Sequence, residues 1–135
     1  MMMLMLAMTG PLDVTGVWET KGGRAHVEIS MTEDDSLFGE VIWYASYAEH
    51  AAAGGEGAKQ QDKGILGATL IEGFERGSEK WRRGTIHDLN TGRSYRATLK
   101  RKNEDTLLVE GCLALFCRTQ QWTRVPESEV KRLPQ

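Results

Sequence analysis

Apolar and polar residues alternate with a period of two in several stretches of this chain. The clearest run extends from Arg24 to Met31, where every second residue is apolar and the residues between them are polar or charged. This alternation is typical of a strand with one face buried and one face in solvent, as in an antiparallel sheet. Together with other β-rich runs bounded by turn residues, it predicts eight strands, at residues 14–20, 24–31, 37–44, 65–74, 79–87, 93–101, 106–111 and 117–124.

Polar and glycine-containing turns connect most of these strands, so neighbours in sequence are expected to pair as a meander. An eight-stranded antiparallel meander favours an up-and-down barrel, because closure leaves no exposed edge strand. A barrel of this size is either filled by its own side chains or holds one small ligand. The sequence therefore predicts an all-β fold with a single barrel domain at residues 13–125, followed by a C-terminal tail or short helix at 126–135.

One segment, residues 45–64, interrupts the alternation. It is rich in alanine and glycine at first and polar afterwards, and it has no period of two. A loop of this length in a small domain is usually functional or disordered. A lid over the barrel is one interpretation, and disorder or a decoration of the barrel is the other.

The last predicted strand has no purely apolar face. One face carries Cys117, Thr119, Gln121 and Thr123, and the other carries Arg118, Gln120, Trp122 and Arg124. In a closed barrel one of these faces must point inward, which indicates an interior with polar groups, water or a ligand. The alternatives are that this strand lies outside the barrel or that the barrel is partly open.

Both cysteines lie near the start of this strand. Cys112 and Cys117 flank four residues, and if these form a hairpin loop the cysteines face each other at a Cα separation of about 4.5–5.5 Å. We therefore favour a disulfide, with two free buried thiols as the alternative. No histidine or second cysteine pair is close in sequence, so we predict no metal site, and nothing nearby would lower a thiol pKa for catalysis.

Charge narrows the range of partners. The 135 residues carry a formal net charge of −2, and no apolar run approaches the roughly 18 residues that span a bilayer. The segment from Lys80 to Lys102 is locally basic and includes Trp81 and Tyr95, a combination that can bind single-stranded nucleic acid. Because the whole chain is slightly acidic, we interpret this segment as a solvated face and predict no nucleic-acid partner. A third interpretation is that an arginine that points into the barrel, Arg83 or Arg96, binds a ligand carboxylate.

The N-terminal residues 1–12 are unusually apolar. They resemble the back half of a secretory signal but lack its basic first part. The alternative is an apolar N-terminal segment that packs on the domain or frays from it. Together with the cysteine pair, this pattern favours a periplasmic or secreted protein, with the cytoplasm as the alternative.

The second half of the chain carries a recognisable pattern, from Trp81 to Tyr95, then residues 107–112, then residues 117–124. With Gly16 and Trp18 near the start, this pattern resembles the bacterial domain of unknown function 2147 family. The resemblance implies an exported bacterial protein with a lipocalin-like (calycin-like) barrel, a proposed role in binding a small hydrophobic ligand, and no established enzymatic activity. The family usually has a proline where this chain has Leu89.

Four residues are assigned a structural role in closing the barrel: Gly16, Trp18, Trp122 and Arg124. The Gly-x-Trp segment with a final arginine is similar to the pairing that closes lipocalin-type barrels. A guanidinium stacked on the Trp18 ring would contribute about 0.5–2 kcal/mol.

We expect a small-molecule carrier or sensor of the bacterial envelope, with a hydrophobic, amphipathic or carboxylate ligand and a monomeric or weakly dimeric state. The candidate cavity residues are Trp43, Tyr44, Trp81, Arg83, Tyr95 and Arg96. The alternative is an interaction module that has a filled barrel and binds a protein or envelope component through its surface or the 45–64 loop. The three histidines, His26, His50 and His87, lie on separate elements without a local motif, so no catalytic residue and no cofactor is predicted.

Overall fold

A computed structural model describes residues 10–45 and 64–133, and the structural statements below refer to these residues. The predicted lid at 45–64 falls almost entirely on residues 46–63 and therefore lies outside the described part. The same holds for His50 and for most of the apolar N-terminal segment.

The described chain forms a closed eight-stranded antiparallel barrel, as predicted. Its strand segments are β1 (Gly16–Glu19), β2 (Ala25–Met31), β3 (Leu37–Tyr44), β4 (Thr69–Glu72), β5 (Glu75–Arg76), β6 (Trp81–His87), β7 (Ser94–Asn103), β8 (Thr106–Leu113) and β9 (Phe116–Arg124). The segments β4 and β5 both pair with β6, so together they form the fourth of the eight strands. No helix in the described residues is long and apolar enough to cross a membrane.

The barrel closes where the first strand meets the last. Trp18 of β1 lies opposite Arg124 of β9, and the Arg124 guanidinium stacks 4.2 Å from the centre of the Trp18 ring. The same guanidinium donates a 2.9 Å hydrogen bond to the Thr15 carbonyl. Gly16 adopts a φ of 121°, and a Cβ there would collide with the Arg124 guanidinium, so this position requires glycine. Burial, and next the positive charge of Arg101, lowers the pKa of Arg124 below its ordinary value.

One end of the barrel is packed solid and covered by the segment that precedes β1. The indole nitrogens of Trp81 and Trp18 donate 2.9 Å hydrogen bonds to the Leu12 and Val14 carbonyls. The buried Arg101 guanidinium donates to the Asp13 carboxylate and carbonyl, each at 3.0 Å. The Arg101 amide also donates a 2.9 Å hydrogen bond to the Pro11 carbonyl, so contact with the barrel reaches back at least to Pro11 in the described residues. The core of this half consists chiefly of Trp18, Val27, Ile29, Leu37, Ile71, Phe74, Trp81, Leu99 and Leu107.

The C-terminal segment lies against the outside of the barrel as an extended tail after a single 3₁₀ turn, Glu127–Glu129. The Leu133 amide donates to the Ile42 carbonyl at 2.9 Å, and the Lys131 amide donates to Nδ1 of His26 at 3.2 Å. Two hydrogen bonds join the Arg132 guanidinium to the Glu28 carboxylate, and they raise the pKa of Arg132. The tail therefore buries His26 on the outer face of β2.

Cys112 and Cys117 form a disulfide between opposed residues of β8 and β9, with their Cα atoms 4.0 Å apart. The hairpin is tighter than predicted. Pairing continues to Leu113 and Phe116, so the turn contains two residues rather than four, and Ala114 adopts a positive φ of 56°.

Candidate ligand cavity

The half of the barrel opposite the packed end contains a cavity of about 1090 Å³. Its wall is built from the ends of strands that meet there, including the end of β3, the end of β6 and the β8–β9 hairpin. The apolar lining comes mainly from Val41, Ile65, Leu70, Ile86, Leu89, Val109, Leu113 and Phe116. The polar lining comes mainly from Thr20, Arg24, Tyr44, His87, Asp88, Asn90, Tyr95, Arg118 and Gln120.

Along strand β9 the residues that line the cavity change from exposed at the mouth to buried at the floor. Phe116, Arg118, Gln120 and Trp122 all line it, so the face with two arginines and a glutamine is the inward one. Arg118 and Gln120 are exposed although they point into the barrel, which means that solvent reaches them through the mouth. Trp122 is buried, and its indole nitrogen donates a 2.9 Å hydrogen bond to the Gln120 amide oxygen. Trp122 therefore belongs to the floor of the cavity. The polar interior expected from the mixed faces of this strand is present.

Two of the six predicted cavity residues line the cavity. Tyr44 lies at the end of β3 and Tyr95 near the start of β7, and both side chains face the open half of the barrel. The structure places the other four elsewhere, each for an identifiable reason.

Trp43 lies on the outside of the barrel because of an irregularity in strand pairing. His26 pairs with Trp43 but Val27 pairs with Val41, so Ile42 is an extra residue on β3. This β-bulge puts Ile42 and Trp43 on the outer face together, although they are adjacent in sequence. There the Trp43 ring lies 5.0 Å from His26, and the Lys131 ammonium lies 4.5 Å above it.

Trp81 is buried in the packed half rather than in the cavity wall. Its indole nitrogen donates a hydrogen bond to the Leu12 carbonyl, and the Arg76 guanidinium lies 4.6 Å from the centre of its ring. It supports the closed end of the barrel.

Arg83 points into solvent because β6 also contains a bulge. Trp81 pairs with Leu99 and Gly84 pairs with Ala97, so two residues of β6 face one residue of β7. Arg83 takes a positive φ of 61° and lies 3.9 Å from the Glu75 carboxylate at the surface. Regular alternation from Trp81 would have put Arg83 inside, but the bulge puts Gly84 and Ile86 there instead.

Arg96 lies on the outer face of β7, exposed and opposite Cys112. Its neighbour Tyr95 faces inward, and adjacent residues of a regular strand point to opposite faces. The basic side chains that do line the cavity are Arg24 and Arg118, which were not among the candidates. The mixed polarity of β9 was the one sequence signal that could have identified Arg118.

The two cysteines and the two histidines of the described residues already have partners. In the described residues the one cluster with metal-ligand geometry is Glu110 with Cys112 and Cys117, and the disulfide consumes both of its sulfur atoms. His26 contacts the Glu19 carboxylate at 3.1 Å, and His87 contacts the Glu72 carboxylate at 2.7 Å.

The barrel and its sequence have relatives among known proteins. The model of a family described as an uncharacterized protein conserved in bacteria (DUF2147) matches residues 16–124. Among solved structures the chain is similar to protein HP1028 from Helicobacter pylori, which is described as belonging to the lipocalin family. That likeness has a TM-score of 0.62 and 12% identity, and it covers 92% of this chain and 94% of HP1028. At this identity the likeness shows the fold alone. No curated protein matches the sequence.

Proposed function

The chain belongs to the DUF2147 family of bacterial proteins, and we propose that it binds a small amphipathic or hydrophobic molecule inside its lipocalin-like barrel. The observation that carries this proposal is the cavity of about 1090 Å³. Small-molecule sites typically measure about 300–1,000 Å³ and combine an apolar wall with a few polar groups. The alternative of a barrel filled by its own side chains does not agree with this cavity.

The proposal describes a binding protein without catalytic residues and without a cofactor. Export to the bacterial envelope is part of it and is supported by the disulfide, because disulfides persist mainly in oxidising compartments. We expect a monomer or weak dimer, since nothing in the proposed binding mode requires a second copy.

Native mass spectrometry of protein purified from a bacterial envelope fraction tests the proposal. The expected result is a population heavier than the chain by the mass of one small molecule, which is lost after unfolding and refolding. The same spectra report the oligomeric state.

A cavity-filling variant provides the control. Gly111 lines the cavity, and a Cβ there would meet no atom closer than 3.5 Å, so Gly111→Leu should extend into the open space. Thr119→Leu adds a similar side chain on the exposed outer face of β9. Loss of the bound mass in Gly111→Leu but not in Thr119→Leu would support binding inside the barrel. Equal retention in both variants would contradict it.

A second candidate function, an interaction module for an envelope component, is favoured by one observation. The tip of the β8–β9 hairpin exposes three large apolar side chains: Leu113 at 56%, Leu115 at 95% and Phe116 at 82%. Such side chains are often contact sites when clustered. A Leu115→Ser variant would lose sedimentation with envelope membranes if this function is correct. Leu115 is suited to the test because it does not line the cavity.

A further inference from the structure

The mouth of the cavity carries more positive than negative charge. Arg24 and Arg118 both line it, whereas Asp88 is the one acidic residue in the described lining. A carboxylate oxygen of Asp88 accepts hydrogen bonds from the amides of Asn90 at 2.9 Å and Thr91 at 3.2 Å. Asp88 therefore stabilises its own turn.

Neither arginine at the mouth has an ion-pair partner in the described residues. Three other arginines do have carboxylate partners, since Arg83 pairs with Glu75, Arg101 with Asp13 and Arg132 with Glu28. Arg24 directly follows the 3₁₀ turn Lys21–Gly23, which contacts β9. The two guanidiniums thus lie on neighbouring parts of the wall and provide positive charge that no carboxylate of the described residues neutralises through an ion pair.

Below Arg118 the inner face of β9 becomes progressively less polar. Gln120 comes next, and its amide oxygen accepts a hydrogen bond from the Trp122 indole. The NH₂ group of the same amide has no acceptor in the described residues. Trp122 and Val109 follow at the floor and are buried. A ligand that fits this gradient has a charged end at the mouth and an apolar end at the floor.

We propose that the cavity binds an amphiphile with one anionic head group, a carboxylate or a phosphate monoester, and that Arg118 and Arg24 bind this head group. Planar guanidinium groups form paired, charge-assisted hydrogen bonds with both types of anion. The apolar chain extends toward Trp122 along Val41, Leu70 and Val109. This inference rests on the proposed function, because it identifies the ligand class of the same cavity.

Isothermal titration calorimetry with a set of dodecyl amphiphiles tests the inference, with each compound kept below its micelle concentration or, for the alcohol, below its solubility limit. Dodecanoate and monododecyl phosphate provide the two anionic head groups, 1-dodecanol a neutral one and dodecyltrimethylammonium a cationic one. We expect at least one anion to bind about tenfold or more tightly than the alcohol, the ratio expected for one charge-assisted hydrogen bond. The comparison of carboxylate with phosphate identifies the preferred anion.

Variants then locate the head group. Arg118→Gln should weaken binding of the preferred anion about tenfold and leave 1-dodecanol unaffected, and Arg118→Lys should recover part of the loss. Arg96→Gln is the matched control, because Arg96 is an exposed arginine on the outer face of the neighbouring β7–β8 sheet. It should bind every amphiphile like the parent protein. Arg24→Gln should repeat the effect of Arg118→Gln, which guards against a folding defect in a single variant.

The outcomes separate this inference from the proposed function. If the alcohol binds as tightly as both anions, or if Arg118→Gln and Arg24→Gln leave anion binding unchanged, the head-group assignment is overturned while the cavity remains a binding site. If no amphiphile of any charge binds, both the assignment and the amphiphile-binding function are overturned.

Discussion

Two glycines in one row of the barrel should respond in opposite ways to the same substitution. Gly84 of β6 pairs with Ala97 of β7, and Ala97 pairs with Gly111 of β8. Neither glycine has a positive φ, so alanine is compatible with both backbones. The difference between the two positions is the space beyond the backbone.

A Cβ at Gly84 would lie 2.5 Å from Cγ of Phe74 and even closer to two further atoms of its ring. An ordinary contact needs about 3.4 Å or more, so the ring would have to move by about 1 Å. Phe74 is only 2% exposed and is packed among the other core residues, which leaves it little room. At Gly111 the nearest atom, Cγ2 of Ile86, would be 3.5 Å away.

We therefore expect Gly84→Ala to lower the free energy of unfolding by about 1–2 kcal/mol. Overpacking in a core costs about 1–3 kcal/mol. The reduced backbone entropy of the unfolded chain offsets about 0.4–1 kcal/mol of this cost. Gly111→Ala has only the second effect, so it should leave the stability unchanged or raise it by up to about 1 kcal/mol.

Urea unfolding followed by tryptophan fluorescence, with linear extrapolation and comparison of m-values, measures both changes. A Phe74→Leu background should remove most of the penalty of Gly84→Ala, because the smaller side chain vacates the space. If Gly84→Ala and Gly111→Ala have equal stability within about 0.5 kcal/mol, the packing argument is refuted.

Four further changes test the disulfide, the stacked Arg124 and Arg76 side chains and the C-terminal tail by the same urea assay. Replacing Cys112 and Cys117 by serine should cost at most about 2 kcal/mol, because the disulfide closes a very short loop, and a larger loss would contradict a local role. Arg124→Met should cost about 2–3 kcal/mol through loss of its cation–π contact and its carbonyl hydrogen bond. Arg76→Met, which removes an exposed cation–π contact, should cost less than about 1 kcal/mol, and equal losses would show that burial of the stacked guanidinium is unimportant. A chain ending at Glu129 should lose about 1–2 kcal/mol as apolar surface under the tail becomes exposed, and an unchanged midpoint would refute packing of the tail.

Much of the architecture was predictable because it depends on local pattern. Alternation with a period of two in some segments and β-rich composition in the others identified the eight strands, and turn residues between them indicated a meander. The barrel seam was predictable from Gly16, Trp18 and Arg124, since a glycine and a stacked cation leave a recognisable sequence pattern. Trp122, which was assigned to the same closure, lies instead at the floor of the cavity. The unusual polarity of β9 also indicated a polar interior before any contact was known.

The set of residues that line the cavity was less predictable. Alternation assigns each side chain to a face only while the pairing register stays regular, and one extra residue reverses every assignment beyond it. The bulge at Ile42 moves Trp43 outward, and the bulge next to Arg83 moves Gly84 and Ile86 inward. No local property of these residues reveals the bulges, because each depends on the strand alongside.

The sequence by itself thus determined the strands, their order and the chemistry available on each. Only the tertiary structure decided which half of the barrel is filled and which side chains reach the cavity. The reason is that packing and register arise between segments far apart in the chain. Leu12 covers Trp81 at one end, and the hairpin of β8 and β9 brings Arg118 to the mouth at the other.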